Sequence, residues 1–141
     1  MRNRFMFLFW LCLACQTCTA QPVKVGLFRQ PTANGEKVVF SFADKIWIVD
    51  KDGGRARRLT DTDDMRETDP FFSPDGHWIA FSGRSHRNTD VYVVRAEGGT
   101  PRRLTYHPGD DMVAGWTPDS ERILFRSPRK LTKPAKAGII H

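Results

Sequence analysis

A chain of 141 residues, 40% hydrophobic and 27% charged, has the size of one domain and the composition of a folded protein, which excludes a disordered tail. The net charge of +6 is a modest basic excess held in small groups: Arg55, Arg57 and Arg58; Arg102 and Arg103; and Arg126 to Lys136, with five basic residues and no acid. Aromatic residues lie in apolar runs away from these groups. The pattern therefore lacks the stacking platforms of a nucleic-acid binder and reads as solvated strand ends.

The first twenty residues differ from the rest. Arg2 and Arg4 precede an apolar run from Phe5 to Ala14, and Cys18-Thr19-Ala20 places small residues before Gln21. This is the layout of a secretory signal peptide, with a leader over 1–20 whose apolar run is too short to span a bilayer. Cleavage after Ala20 would remove Cys12, Cys15 and Cys18, all the cysteines of the chain, and lower the charge from +6 to +4. No disulfide framework, thiolate nucleophile or Cys-based metal site would remain. The alternative is cleavage before Cys15 with lipid attachment there, although Cys12 stands where such signals carry Leu. The expected location is exported, periplasmic or secreted; the alternative is an outer-membrane or surface lipoprotein.

Past the leader, one word recurs. Phe72-Ser73-Pro74-Asp75-Gly76-His77-Trp78-Ile79-Ala80-Phe81-Ser82 reads as strand, tight turn, strand. Pro74 presets φ, Asp75 bonds its own backbone, and Gly76 closes the turn. Ala33-Asn34-Gly35 before Val38-Val39-Phe40-Ser41, and Thr117-Pro118-Asp119-Ser120 before Ile123-Leu124-Phe125, spell it more weakly. The turns lie 41 and 44 residues apart. Three further landmarks keep the same order. Asp44-Lys45-Ile46-Trp47-Ile48-Val49 answers Asp90-Val91-Tyr92-Val93-Val94. Asp52-Gly53-Gly54 answers Glu97-Gly98-Gly99, and Arg57-Arg58-Leu59-Thr60 answers Arg102-Arg103-Leu104-Thr105.

The best copy predicts four strands, at Pro70–Ser73, Trp78–Ser82, Asp90–Val94 and Arg102–Thr105, with Gly83 to Thr89 as an inserted polar loop. The connections suit antiparallel hairpins and are too short for crossover helices. No stretch after the leader holds a 3.6-residue apolar period. Four strands in about 40–45 residues is the mark of a β-propeller blade. The expectation is all-β: an incomplete propeller of two four-stranded antiparallel blades plus part of a third over 21–127, followed by an irregular basic tail over 128–141.

Candidate chemistry is sparse. There is no Gly-x-Ser-x-Gly elbow, and Ser73 and Ser82 flank turn and strand without an evident base. His77, His86, His107 and His141 show no ligand spacing. Among Asp61, Asp63, Asp64, Glu67 and Asp69, an EF-hand loop starting at Asp61 would need Gly at the sixth place and Glu at the twelfth; Arg66 and Phe72 stand there. The cluster is expected to be a solvated inter-blade loop, with a looser Ca²⁺ site as the alternative. His107-Pro108-Gly109-Asp110-Asp111 holds the corresponding place before the third blade, so both acidic loops are expected on one face of the ring. Asp44 and Asp90 are expected to cap turns or pair with nearby Arg. Gly53-Gly54 and Gly98-Gly99 are hairpin turns rather than phosphate loops, and no cofactor motif is present. The turn residues Ser73, Pro74, Asp75, Gly76, Gly98, Gly99, Pro118 and Asp119 are assigned a structural role, and no residue a catalytic, cofactor or metal role.

Ser-Pro-Asp-Gly, Trp-Ile-Ala-Phe, Asp-Val-Tyr-Val-Val, Gly-Gly and Arg-Arg-Leu-Thr together resemble the WD40-like PD40 repeat of TolB, prolyl oligopeptidase relatives and tricorn proteases. The run Gly98 to Asp111, continuing through Gly115-Trp116-Thr117-Pro118-Asp119-Ser120 to Ser127, resembles the N-terminal propeller of exported tricorn-like proteases, as does Leu27-Phe28-Arg29-Gln30-Pro31. The resemblance covers about Val25 to Ser127, and Asn34-Gly35 and Asp119-Ser120 depart from Pro-Asp-Gly. It implies a non-catalytic propeller that gates or guides peptides, because that family carries its catalytic Ser and His in C-terminal domains with no counterpart here. The tail after Ser127 reads as a truncation or a shifted frame, or else a linker. The alternatives are a TolB-like module binding periplasmic proteins and a ligand-binding propeller attached to another hydrolase. Partners are expected to be peptides or proteins, and further blades or copies of the chain covering its open edges, with no nucleic acid and no membrane span.

Overall fold

The computed structural model describes residues 28–128. The leader with its three cysteines, His141 and all of the basic tail except Pro128 lie outside the described residues. Ten strands follow one another: β1 (Arg29–Ala33), β2 (Lys37–Phe42), β3 (Lys45–Asp50), β4 (Arg57–Arg58), β5 (Arg66–Phe72), β6 (Trp78–Ser85), β7 (Asn88–Arg95), β8 (Arg102–Arg103), β9 (Met112–Trp116) and β10 (Ile123–Arg126). They form three antiparallel sheets in chain order: β1 to β4, β5 to β8, and β9 with β10. These are two four-stranded blades and the first hairpin of a third, and no helix occurs among the described residues.

Strand alternation explains the packing. In β6 and β7, Ile79, Phe81 and Val94 face the first blade and meet Val39, Ile46, Ile48 and Leu59. Ala80, Val91 and Val93 point the other way and meet Val113 and Ile123 of the third. Side chains alternate across a strand, so a blade with apolar residues at both parities has two faces to bury and needs a neighbour on each. Each fully buried Val, Ile or Phe side chain contributes roughly 1.5–3 kcal/mol. The second blade, flanked on both sides, holds Ile79, Ala80 and Phe81 at 0% exposure.

The outer faces have no such cover among the described residues. Phe28, Phe40, Phe42 and Trp47 form an aromatic row on the first blade, with Phe28 46% and Phe42 37% exposed. Leu124, 47% exposed, stands on the far side of the third.

Several strand limits differ from the sequence expectation. The strand expected at Pro70–Ser73 is β5, which begins at Arg66. Its polar start is drawn into the sheet because Glu67 N donates to Asp44 O of the preceding blade at 2.9 Å. A bulge between Thr68 and Phe71, with Asp69 at φ 52, repeats the one in β1, where Gln30 has the same φ. The segment Gly83 to Thr89, expected as a loop, extends the β6–β7 hairpin: Arg84 pairs with Thr89 and Ser85 with Asn88, leaving His86 and Arg87 as the turn. The ladder of β8 is only Arg102–Arg103, with Leu104 N donating to Val91 O beyond it at 2.8 Å.

Candidate functional site

The repeated turns are closed by their own side chains. In the second blade Ser73 Oγ donates to Asp75 Oδ1 at 2.5 Å, and Asp75 Oδ1 also accepts from His77 N at 3.1 Å. Trp78 N donates to Ser73 Oγ at 2.9 Å. In the third blade Thr117 takes the place of Ser73: its hydroxyl donates to Asp119, which accepts from Glu121 N at 3.0 Å. In the first, Asn34 Oδ1 accepts from Glu36 N and Lys37 N. The Ser73 hydroxyl holds the Asp75 carboxyl below its ordinary value of 3.8, and Thr117 does the same for Asp119. Both carboxylates stay ionised at neutral pH, as turn acceptors do.

Pro74 and Pro118 lie exposed at the turn tips, and Gly98 and Gly99 form the turn after β7 at φ 104 and 120. Gly76 lies where an added Cβ would stand 2.8 Å from Asn34 Nδ2, so the first and second turns touch. Ser120, at φ 62, offers a hydroxyl that accepts from Asp75 N at 3.0 Å and ties the third turn to the second.

Nucleophile geometry is lacking among the described residues. Ser73 is 1% exposed and engaged in its turn, and Ser82, fully buried, accepts from Val113 N at 3.0 Å. His77 and His86 are exposed, and His107 Nδ1 accepts from Gly109 N at 3.0 Å. No imidazole reaches a serine hydroxyl, and no three His, Cys, Asp or Glu side chains group as metal ligands among the described residues.

The polar groups with defined environments sit where one blade meets the next. Glu67, expected in a solvated loop, is 0% exposed. Its Oε2 accepts from Ile46 N at 2.9 Å and Thr60 Oγ1 at 2.5 Å, and its Oε1 from the Thr62 hydroxyl. Both donors on Oε2 belong to the first blade, so a side chain of the second blade plugs the end of the first. Asp61, Asp63 and Asp64 remain exposed, as a loop should.

Lys45 Nζ, inside the same loop, donates to Thr62 O at 2.5 Å, Met65 O at 2.9 Å and Asp63 O at 3.2 Å. Register makes Lys45, not Asp44, the equivalent of Asp90 in the next repeat, because Trp47 pairs with Arg58 as Tyr92 pairs with Arg103. Asp90, fully buried, accepts from Arg103 Nη2 at 2.5 Å, while Asp44 pairs with Arg66 at 2.9 Å. Asp111 is the counterpart of Glu67: it is fully buried, and its N donates to Thr89 O at 2.7 Å. A spacing of 45 measured from Arg58 to Arg103 carries Lys45 onto Asp90 in the sequence alone.

The first strands of the three blades lie side by side, β1 against β5 and β5 against β9. Gln30 and Asp69 join the first two: the Gln30 amide donates to the Asp69 carboxylate, and Asp69 N donates to Gln30 Oε1 at 3.0 Å. Thr32 Oγ1 donates to Pro70 O at 2.9 Å, and Trp116 Nε1 to Phe71 O at 2.9 Å.

Residues 25–139 match the sequence profile of the tricorn protease N-terminal beta propeller domain, which carries the match past Ser127 into the basic segment. Tricorn protease homolog 1 of Streptomyces coelicolor is 38% identical over 109 residues, covering 76% of this chain and 10% of that protein. The Tol-Pal system protein TolB of Wolinella succinogenes is 30% identical over 76 residues, covering 54% of this chain and 18% of its own length. Among solved structures, the crystal structure of the tricorn protease superposes with a TM-score of 0.62 at 26% identity, over 70% of this chain and 10% of the protease. The chain thus spans about a tenth of the length of the tricorn proteins it matches.

Proposed function

Because this chain belongs to the tricorn protease N-terminal β-propeller family, we propose that it is a non-catalytic, peptide-binding and substrate-gating propeller segment of an exported tricorn-like serine protease. The observation that carries this reading is the family match over blades whose hydroxyls and carboxylates are engaged in turns and blade junctions. Peptide-bond hydrolysis would belong to other domains of such a protein, and this segment would hold or pass the peptide. Export follows from the leader over 1–20, with cleavage after Ala20, and the propeller would occupy 21–127 with the basic segment as its tail.

A TolB-like module that binds proteins is the second reading, supported by the sequence likeness to TolB. Incubation of the purified chain with fluorogenic and unstructured peptides tests the first. The expected result is peptide retention without cleavage; cleavage that tracks the pure chain would overturn the non-catalytic assignment. Retention of a folded envelope protein with no affinity for free peptides would favour the second. Mass spectrometry of the N-terminus after expression in a bacterial host tests export. A start at Gln21 is expected, and a diacylglyceryl group on Cys15 would replace it with the lipoprotein reading.

A further inference from the structure

The two blade junctions share one plan, and among their differences is the state of one hydroxyl. Ser41 of β2 and Ser82 of β6 occupy the same repeat position, each two residues past the buried apolar residue that faces the next blade, Val39 and Ala80. At the second junction Ser82 Oγ accepts from Val113 N, the amide that follows Met112 at the start of β9. The corresponding amide at the first junction is Asp69 N, which follows Thr68. It is turned away by the bulge and donates to Gln30 Oε1 instead. Ser41 Oγ is left buried, at 4% exposure for the residue, with no partner among the described residues.

Beside it opens a cleft of about 160 Å³, at the opposite end of the strands from the repeated turns. Two arginines line it. Arg29 stands opposite Ser41 in the β1–β2 register, and its guanidinium has no hydrogen-bond or ion-pair partner among the described residues. Arg66 gives only its Nε to Asp44, which leaves its terminal nitrogens available. The other acid in the wall, Glu67, has both carboxylate oxygens occupied by the three donors of the junction.

We infer that this cleft holds the side-chain carboxylate of an acidic residue in a bound peptide, gripped by Arg29 and Arg66 and by the Ser41 hydroxyl. The inference deepens the peptide-binding reading and rests on it. Arginine forks match a carboxylate in two-point geometry, and a buried hydroxyl without a partner gains a bond when an acceptor arrives. The wall carries two positive and two negative groups, so a singly charged carboxylate is better tolerated than a doubly charged phosphate.

The test titrates the full chain with acetyl-Gly-Gly-Glu-Gly-Gly-amide, its Gln counterpart, and pentaglycine with a free carboxyl terminus. The Glu peptide is expected to bind at least tenfold more tightly than the other two, with loss on added salt. Arg29→Gln and Arg66→Gln should each weaken it about tenfold, and Ser41→Ala several-fold. Arg29 is exposed and Ser41 Oγ makes no bond among the described residues, so those two variants should keep the parent melting temperature. Equal binding of the Glu and Gln peptides, tighter binding of pentaglycine, or indifference to all three substitutions would overturn the cleft while leaving the peptide-binding reading in place. If no peptide binds, including longer unstructured ones, both fall.

Discussion

Replacing Glu67 by alanine is expected to loosen the first blade from the second by about 3–5 kcal/mol. Truncation strands two buried donors, Ile46 N, at 2.9 Å from Oε2, and the Thr60 hydroxyl, and a half-buried one, the Thr62 hydroxyl. A hydrogen bond to a charged acceptor contributes roughly 1.5–3 kcal/mol, and a buried donor left without a partner costs about 1–3 kcal/mol. The two hydroxyls recover part of this by rotating, whereas the Ile46 amide is fixed in β3. Glutamine in the same place keeps one oxygen for Ile46 N and Thr60, and turns its amide toward Thr62, whose hydroxyl can reverse to accept. That exchange should cost only about 1–2 kcal/mol. Urea unfolding read by tryptophan fluorescence reports both blades, since Trp47 lies in the first and Trp78 in the second. A cycle with Thr62→Val isolates the Oε1 bond. An alanine variant within 1 kcal/mol of the parent (against the roughly 3–5 kcal/mol worked above), or a glutamine variant as unstable as alanine, would refute the account of Glu67 as the plug between blades. Should the alanine protein not accumulate, the glutamine variant still carries the comparison.

Three further outcomes are expected. At Gly83 an added Cβ would stand 2.7 Å from the Tyr92 ring and press on Met65 Sδ; moving the ring would disturb its stacking on Phe81, so Gly83→Ala should cost about 1–3 kcal/mol in the same urea assay. Asp50, Asp75 and Asp119 all have carboxyls held below 3.8, by Lys37, Ser73 and Thr117 respectively. A depressed folded value stabilises above the unfolded value and is lost as pH falls through the folded one. Urea midpoints should therefore stay level down to about pH 5 and drop below about pH 4, less steeply in Asp75→Asn with Asp119→Asn. The purified 141-residue chain should self-associate through its uncovered sheet faces, with Phe28, Phe42 and Leu124 exposed. Sedimentation velocity should show species above the monomer that diminish in Phe42→Lys, and a sharp cooperative melt as a monomer would count against it.

What was legible in the sequence is what short-range chemistry fixes. Pro74, Asp75 and Gly76 dictate a turn within four residues, and the alternation in Trp78 to Ser82 dictates a strand, so blades could be counted from the spacing of the turns. Glu67 was hidden because its signal is long-range. Its donors come from Ile46 and Thr60 of another blade, and among Asp61, Asp63, Asp64 and Asp69 a further acid looks like solvent-facing charge. The Gly83 to Thr89 extension was hidden for a related reason. Polar residues that pair across a hairpin carry no apolar period, so Arg84 opposite Thr89 reads as loop until register is known. Asp44 and Asp90 share a residue type but not a position, and the register alone separates them.

These misplacements share a cause that bears on function. A repeat makes blades interchangeable, so whatever distinguishes one junction from another must come from substitutions that leave the turn and the two apolar faces intact. At the second junction Asp90 is buried against Arg103, and Ser82 is capped by Val113 N. At the first, Lys45 fills the position of Asp90 and binds the backbone of the loop, while the bulge sends Asp69 N to Gln30 and uncaps Ser41. Both solutions satisfy the same fold, because Asp90 finds a counter-charge in Arg103 and Lys45 finds backbone carbonyls of its own loop. Among the described residues, the first lines an open cleft with two arginines beside an uncapped hydroxyl. Grafting the second solution onto the first, by Lys45→Asp with Arg58 as the ion-pair partner in the position of Arg103, should leave the blades folded. It should also release the loop at Thr62 to Met65, seen as faster amide exchange there than across β6 and β7. Unchanged exchange in that loop would mean that the Lys45 ammonium does not hold it, and that the two junctions differ in sequence without differing in mechanics.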